Sequence, residues 1–318
     1  MHLFDPDATT EPNRGLEVSA RGVEDLLGSG FILLDKAAGP TSHQLTAWVR
    51  DMFGVDKLGH GGTLDPFATG VLTLLFGKTM KLTSRILSHN KTYIAVLRFS
   101  SPCSKEELVS VLENQIGRVY NIPPEVSAVK VQVRTRNIES IDILDQNEDF
   151  VILKIDCEAG TYIRTMARDI GLMLDRKIEL RELRRVRSGD FSLEESVSIQ
   201  QVADAFWLWK ENGDDTSLKK IIHPVERLLD SLPKVVIKDG AIGAICHGAP
   251  LHRPGIISIE EDLEAGTEVL LQSLKGEAVA IAKLELSSNE MVGIDQGEMA
   301  RPNTVLMNQD TYPRQWGS

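Results

Sequence analysis

The residues best suited to chemistry lie in the segment Gly59–Gly70, which reads Gly-His-Gly-Gly-Thr-Leu-Asp-Pro-Phe-Ala-Thr-Gly. It carries a single carboxylate, Asp65, among small and turn-forming residues. Glycine permits backbone conformations and close approaches that side chains forbid, and Pro66 fixes the chain immediately after the acid. Such a loop can present one acid to a large, flat substrate. Taken by itself, the segment is more typical of a surface turn with an incidental aspartate.

Three further segments carry side chains that could act with such an acid. Lys36 ends a predicted strand, Tyr93 lies in the triplet Lys91-Thr92-Tyr93, and Arg164 lies in Gly160-Thr161-Tyr162-Ile163-Arg164-Thr165. Each has a simpler interpretation when taken singly. Lys36 could be a strand-end charge, Tyr93 a core residue and Arg164 a surface cation.

Charge is distributed unevenly along the 318 residues, whose net charge is −11. An acidic balance argues against nucleic acid binding. However, residues 1–30 carry two cations against six anions and residues 233–318 seven against twelve, which leaves 26 against 28 in residues 31–232. A basic stripe in that region comprises Arg176, Lys177, Arg181, Arg184, Arg185 and Arg187. Such a stripe can bind phosphate within an acidic protein; a solvated helix face with paired charges is the alternative.

Composition excludes several classes of protein. The longest apolar stretch, Val71–Phe76, is too short to span a bilayer. The polar, acidic segment Met1–Ser19 predicts neither a signal peptide nor an anchor. The three cysteines are widely separated, which is typical of a reducing cytosol and makes no metal-binding pattern. We therefore expect a cytoplasmic protein that does not associate with membranes.

A phosphate-binding loop is one rival interpretation, suggested by Gly70 and the later triplet Gly77-Lys78-Thr79. The Walker A motif needs four residues between its glycines, whereas six separate Gly70 from Gly77. The intervening residues also predict a strand. We therefore reject nucleotide binding at this loop.

Predicted helices and strands alternate without a regular βαβ order. Thr41 or Ser42 is expected to cap one helix, the pair Ser104 and Glu107 forms a capping box for another, and Thr161 is expected to cap a third. The predicted strands of this region are Phe31–Lys36, Val71–Phe76, Thr92–Phe99, Val129–Val133 and Phe150–Cys157, and further helices are predicted at Thr79–Leu87 and Gln200–Lys210. This mixture predicts an α+β fold.

After Pro233 the pattern changes to short strands separated by turns, which predicts a small β-domain in the form of a barrel. Its strands are predicted at Val235–Lys238, Ile256–Ile259, Glu268–Leu271 and Ala278–Leu286. We therefore divide the chain into an acidic N-terminal segment (1–30) associated with the β-domain, a catalytic domain (31–232) and the β-domain itself (233–318).

In order and spacing, the segments described above closely resemble the TruB/dyskerin family of RNA pseudouridine synthases. The segments that carry the resemblance are Asp35–His43, Gly59–Gly70, Lys91–Tyr93, Gly160–Thr165 and Leu183–Gly189. The likeness extends from about Phe31 to the terminal Trp316. Within the family, Ser127–Lys130, Ala244–Ala249 and Leu274–Ala280 resemble the archaeal H/ACA-type catalytic subunit. The resemblance implies a mixed-sheet catalytic domain and a C-terminal PUA-type β-barrel that binds RNA.

The resemblance also implies roles for individual residues. Asp65 is the expected nucleophile, Arg164 stabilises its ionised carboxylate, and Tyr93 stacks on the target base and moves a proton. His60 is expected to contact the flipped nucleotide, although a solvent-exposed turn histidine is the alternative. No cofactor and no metal is expected.

Substrate binding is expected to involve further residues at the same cleft. Lys36 and Leu183 complete the pocket, Leu183 as an apolar wall. Arg184, Arg185 and Arg187 fit phosphate contacts.

The expected reaction is isomerisation of uridine to pseudouridine in structured RNA. The targets are rRNA positions selected by an H/ACA guide RNA with small accessory proteins, uridine 55 in the tRNA T-loop, or both. The alternative is a catalytically silent RNA-binding scaffold of a ribonucleoprotein, for which an intact Asp65, Tyr93 and Arg164 would serve no purpose.

Overall fold

The computed structural model describes residues 1–123 and 133–313. The motif Ser127–Lys130, all but the last residue of the predicted strand Val129–Val133, and the terminal Trp316 lie outside these ranges. The described chain divides into two compact units. The central unit comprises Ile32–Leu75 and Leu82–Asp214, and the terminal unit comprises Met1–Phe31, Phe76–Lys81 and the chain from Asp215 onward.

Helices and strands follow one another irregularly within these ranges. In chain order they are β1 (His2–Leu3), α1 (Val23–Ser29), β2 (Gly30–Lys36), α2 (Ser42–Phe53), β3 (Leu58–His60), β4 (Thr69–Phe76), α3 (Thr83–Ser88), β5 (Lys91–Phe99), α4 (Lys105–Glu113), β6 (Gly117–Asn121), β7 (Arg134–Gln146), β8 (Phe150–Cys157), α5 (Ile163–Met173), β9 (Ile178–Ser188), β10 (Phe191–Ser192), α6 (Ile199–Asn212), α7 (Thr216–Ile221), β11 (Ile222–Pro224), β12 (Lys234–Ile237), α8 (Asp239–Cys246), β13 (Leu251–His252), β14 (Ile256–Ile259), β15 (Glu268–Gln272), β16 (Ala278–Leu284) and β17 (Glu298–Val305). No helix in the described part of the chain is long and apolar enough to cross a bilayer.

The central unit is built on a mixed sheet in which strands β2, β4, β9, β5, β8, β7 and β6 are neighbours in that order. Strand β4 is almost entirely buried because the sheet is covered on both sides there. It pairs in parallel with β9, and β5 pairs antiparallel with both β9 and β8. The α+β prediction is confirmed.

Four residues of the basic stripe lie on strand β9 and not on a helix: Arg181, Arg184, Arg185 and Arg187. Arg176 and Lys177 directly precede this strand. In the antiparallel register with β5, Tyr93 faces Arg185 and Ala95 faces Leu183. In the parallel register with β4, Thr69 faces Arg184. Because β9 is a central strand, its residues alternate between the two faces of the sheet, and the cations of the stripe cannot all be equally exposed.

Helix ends follow the local capping rules in two of the three predicted cases. The Thr41 side chain accepts a hydrogen bond from the Gln44 amide in a complete capping box, and Ser104 does the same for α4. The prediction for Thr161 is wrong, because the N-cap of α5 is Tyr162 and the Thr161 hydroxyl donates to the Glu158 carbonyl instead.

The helix predicted at Thr79–Leu87 starts later than expected. A 3-10 turn occupies Gly77–Leu82, and the α-helix α3 begins at Thr83.

The terminal unit contains a seven-stranded sheet with the order β1, β14, β12, β15, β16, β17, β13. The predicted strands after Pro233 are all present, although the sheet is a curled half-barrel rather than a closed barrel. Among the described residues of this unit, three helices were not predicted, α1, α7 and α8. The N-terminal strand β1 pairs with β14 at the edge of this sheet, with Leu3 opposite Ser258.

Candidate active site

The loop that carries Asp65 is held by backbone bonds on both sides of the acid. The Ala68 amide donates to the Asp65 carbonyl at 3.0 Å, which closes a tight turn around Pro66, and the Gly39 amide donates to the Pro66 carbonyl at 2.8 Å. The buried Ser42 hydroxyl accepts from the Leu64 amide at 2.9 Å and lies 3.2 Å from the Leu64 carbonyl. The first turn of α2 thereby fixes the residue before the acid.

Gly70 ends this loop at a position where another residue would not fit. Its φ is +105°, and a Cβ atom placed there would lie 2.1 Å from the Arg185 carbonyl oxygen. The parallel pairing of β4 with β9 brings these two backbones into register. The glycine is therefore required for the close approach of the two strands that carry the site.

Arg164 reaches Asp65 from the first turn of α5. Its Nη2 lies 2.6 Å from Asp65 Oδ2, and the two side chains are 40% and 45% exposed. The guanidinium also lies 5.6 Å from the centre of the Phe67 ring. A charge-assisted bond of this length orients the carboxylate while leaving it accessible from solvent.

The start of α5 is fixed by strand β6. The Asn121 side chain accepts from the Tyr162 amide at 2.8 Å and donates to the Tyr162 carbonyl at 3.2 Å. The Thr165 hydroxyl donates to the Ile122 carbonyl at 2.6 Å. Asn121 is buried and was not identified from the sequence, because its partner is 41 positions away in the chain.

Lys36 has a different position from the one predicted. Its side chain is completely buried, and its Nζ donates to the carbonyls of Ala37, Pro66 and Ala68 at 3.0, 3.1 and 2.7 Å. Burial lowers the pKa of Lys36, and the nearby Asp65 opposes that effect. Lys36 therefore holds the backbone of the loop that carries Asp65 and is not exposed to a pocket.

We expect Lys36→Met to lower the free energy of unfolding by about 2–3 kcal/mol, because three backbone carbonyls lose their donor and the bond to the Ala68 carbonyl is buried. Urea unfolding of the variant measures this loss. Lys57→Met, on an exposed lysine of the same segment, is the matched control and should change stability by less than about 0.5 kcal/mol. Equal stability of the two variants would contradict the role of Lys36.

Tyr93 and Leu183 form the apolar floor beside the acid. They are 9% and 8% exposed and belong to one cluster with Leu64 and Ile163. Burial raises the pKa of Tyr93, and a hydrogen bond with Arg185 opposes that rise. The phenol is therefore protonated at neutral pH.

The three arginines predicted to contact phosphate have three different environments. Arg184 is partly exposed, and its guanidinium contacts Asp35 at 2.8 Å and the Thr69 hydroxyl at 3.1 Å. Arg187 is exposed and donates to the Gly189 carbonyl.

Arg185 differs from the prediction because it is only 2% exposed. Its guanidinium donates to the carbonyls of Val71 at 2.8 Å and Gly62 at 3.0 Å. It cannot reach a phosphate on the surface, and it instead joins strand β4 to the glycine loop.

His60 is partly buried at the end of β3, five residues before Asp65. Its ring contacts that of His43, with centroids 4.8 Å apart. The structure thus brings Arg164 and Tyr93 close to Asp65, whereas the charged and aromatic neighbours of His60 are His43 and Arg185. Among the described side chains, no three histidine, cysteine, aspartate or glutamate residues are grouped as metal ligands.

Profiles of three known domains match the chain. "TruB family pseudouridylate synthase (N terminal domain)" matches residues 50–163, "tRNA pseudouridylate synthase B C-terminal domain" matches residues 164–230, and "PUA domain" matches residues 233–306. The acid–arginine site and the curled sheet therefore belong to a pseudouridylate synthase that carries a PUA domain.

Similar proteins cover almost the whole chain. "Probable tRNA pseudouridine synthase B" of Methanopyrus kandleri is 41% identical over 311 residues, 98% of this chain and 92% of the relative. The chain belongs to the TruB family of pseudouridine synthases. The protein of the same name from Methanothermobacter thermautotrophicus is 40% identical over 310 residues, 98% of this chain and 96% of the relative.

Two solved structures agree with this assignment. A chain in "Structure of H/ACA RNP bound to a substrate RNA containing 2'-deoxyuridine" has a TM-score of 0.87 at 34% identity, covering 99% of this chain and 96% of its own. A chain in "Crystal Structure of a Cbf5-Nop10-Gar1 Complex" has a TM-score of 0.85 at 36% identity, covering 98% and 95%. The predicted family and its archaeal H/ACA-type branch are confirmed.

Proposed function

We propose that this chain is the catalytic subunit of a guide-RNA-dependent ribonucleoprotein that isomerises uridine to pseudouridine in rRNA. Uridine 55 of tRNA is a second substrate. The similar H/ACA structures, one with substrate RNA and one with two small proteins, support the guided reaction. The names of the curated relatives support the tRNA reaction. Small accessory proteins and an H/ACA guide RNA are the proposed partners.

The 2.6 Å contact between Arg164 and Asp65 is the observation that carries the catalytic part of this proposal. Asp65 acts as the nucleophile while the glycosidic bond between uracil and ribose is broken. The base is then rejoined to the ribose through C5, and the C5 proton is exchanged for one on N1. A silent scaffold would not need a solvent-accessible carboxylate held by an arginine.

The other residues bind and orient the extracted nucleotide. Tyr93 stacks on the base and enters the reaction as a protonated phenol, Leu183 packs beside it, and His60 contacts the flipped nucleotide. Stacking and hydrogen bonding of this kind offset the few kcal/mol needed to extract a base. Arg184 and Arg187 contact RNA phosphates, whereas Lys36 and Arg185 position the loop.

The PUA domain holds an RNA end. A surface pocket of about 820 Å³ in the terminal unit supports this proposal. Two lysines line it together with polar residues, so both phosphates and base edges have partners there. Its lining includes Lys78, Lys81, His247, Asn308 and Thr311.

We also propose the domain division at residues 30/31 and 232/233. Contacts of the N-terminal segment within the terminal unit support its association with the PUA domain, including Asp5 with Lys238 at 2.6 Å and the Leu16 amide with Glu277 at 2.9 Å. A cytoplasmic location is proposed because Cys103, Cys157 and Cys246 are buried and unpaired.

RNA labelled with tritium at C5 of uridine tests the RNA target, because the label is released when pseudouridine forms. The chain, a guide RNA and purified accessory proteins should release tritium from the paired rRNA transcript. A guide with a mismatched pairing element is the control and should give no release. Release from a tRNA transcript by the protein alone, with none from guided rRNA, would contradict the guided function.

Arg164→Lys should lower kcat by about one to two orders of magnitude. Lysine keeps the charge, but it lacks the planar fork that orients a carboxylate. The tritium assay at saturating RNA measures this loss. Arg168→Lys is the matched control, because Arg168 lies one turn later in α5, is 58% exposed and pairs with its neighbour Asp169. Equal rates for the two variants would contradict the role of Arg164.

A further inference from the structure

His43 and His60 form a ring pair beside the catalytic loop. Their centroids are 4.8 Å apart and their planes meet at 83°, which is the edge-to-face arrangement that aromatic rings favour. His43 is the second residue of α2 and His60 the last of β3. The bonds between Ser42 and Leu64 fix α2 against the same loop, so the two rings sit on a rigid frame.

His60 has little else to hold its ring. Within residues 1–123 and 133–313, its Nδ1 is buried without a hydrogen-bond partner. The backbone after it is fixed, because the Gly61 amide donates to the Thr73 carbonyl at 2.8 Å. A hydrogen bond normally sets the plane of a histidine ring. In this site the contact with the His43 ring sets the plane of the His60 ring instead.

The surroundings favour a neutral His60. Burial lowers the pKa of His60 first, and His43 from α2 and Arg185 from β9 lower it further. A neutral His60 ring is suited to lie against an uncharged base and to offer one nitrogen as donor or acceptor.

We propose that His43 is a positioning residue for pseudouridine formation: its ring holds the His60 ring in the plane that the extracted nucleotide contacts. This inference rests on the proposed contact between His60 and the nucleotide. It assigns a function to a side chain that touches neither Asp65 nor the base.

A double-mutant cycle tests the proposal, because coupled residues give non-additive effects. His43→Ala should lower kcat by about three- to tenfold, which is the range an aromatic pair sustains, and leave KM for RNA unchanged. His43→Phe keeps a ring and should restore most of the rate. In the His60→Ala background, His43→Ala should cause no further loss.

Three results would overturn the proposal. These are a wild-type rate for His43→Ala, an equal loss for His43→Ala and His43→Phe, or a full additional loss in the His60→Ala background. Thermal unfolding of each variant shows whether it is folded. If His43→Ala is not folded, His43→Phe and His43→Asn replace it in the cycle.

A spectroscopic comparison separates this inference from the proposed function. In protein with 13C-labelled histidine, the Hε1 signal of His60, assigned with His60→Ala, should lose its ring-current shift in His43→Ala and keep a shift in His43→Phe. An unchanged signal in His43→Ala would overturn the ring contact. Absence of pseudouridine formation by wild type on every RNA would instead count against the proposed function alone.

Discussion

Asp65→Asn is expected to abolish pseudouridine formation, with a rate at least about four orders of magnitude below wild type. The amide has nearly the same size and keeps the turn closed by the Ala68 amide and the Asp65 carbonyl. It cannot act as an anionic nucleophile, and it replaces the ion pair with Arg164 by a hydrogen bond from the guanidinium to a neutral amide. Tritium release from C5-labelled uridine in single-turnover reactions measures the rate.

RNA affinity of the same variant should stay within about threefold of wild type, because the phosphate backbone supplies most of the binding energy. Asp56→Asn is the matched control. Asp56 is an exposed acid nine residues earlier on the same segment, and its removal should leave the rate unchanged. Wild-type activity of Asp65→Asn would exclude Asp65 as the nucleophile, and inactivity of both wild type and variant with intact RNA binding would favour the silent scaffold.

Features encoded by neighbouring residues could be predicted from the sequence. The capping boxes at Thr41 and Ser104 depend on residues three positions apart. The alternation of apolar residues predicted β8 with the bounds observed, Phe150–Cys157. The glycine loop identified Asp65 because its residue types already describe a tight turn around an acid.

Features that depend on distant partners could not be predicted in this way. The buried position of Lys36 depends on its hydrogen bonds to carbonyls about 30 positions away in the chain. The Thr161 cap was wrong because Asn121 on β6 binds the amide and carbonyl of Tyr162, which is the N-cap residue of α5. Helix α8 was missed because seven of its eight residues are apolar or glycine, so the segment has no polar face to reveal a helical period.

Arg184 and Arg185 show most directly that a residue's environment cannot be predicted from its neighbours in the sequence. They are adjacent and chemically identical, and the sequence assigned both to phosphate binding. Alternation along β9 turns Arg185 into the interior and leaves Arg184 partly exposed beside Asp35. Only the positions of β4 and β5 on either side of β9 distinguish them.

Arg185→Met should therefore lower the free energy of unfolding by about 3–5 kcal/mol. The guanidinium donates to the buried carbonyls of Val71 and Gly62, and each carbonyl left without a donor costs about 1–3 kcal/mol. Tyr93 also loses its hydrogen bond. Urea unfolding followed by circular dichroism measures the loss, and RNA affinity of the folded variant should be nearly unchanged.

Arg184→Met is the matched control, and its effects should be the reverse. The partly exposed pair with Asp35 contributes less than about 1 kcal/mol to stability. Loss of one phosphate contact should weaken RNA binding and reduce the salt dependence of the affinity by about one unit of slope. If Arg185→Met instead kept wild-type stability and reduced that slope, Arg185 would be a phosphate ligand and the buried contacts would not describe the protein in solution. A loss of stability in Arg185→Met and a loss of RNA affinity in Arg184→Met would establish that the two adjacent arginines have different functions. Arg185 would position the loop that carries Asp65, and Arg184 would bind RNA, because successive residues of β9 face opposite sides of the sheet.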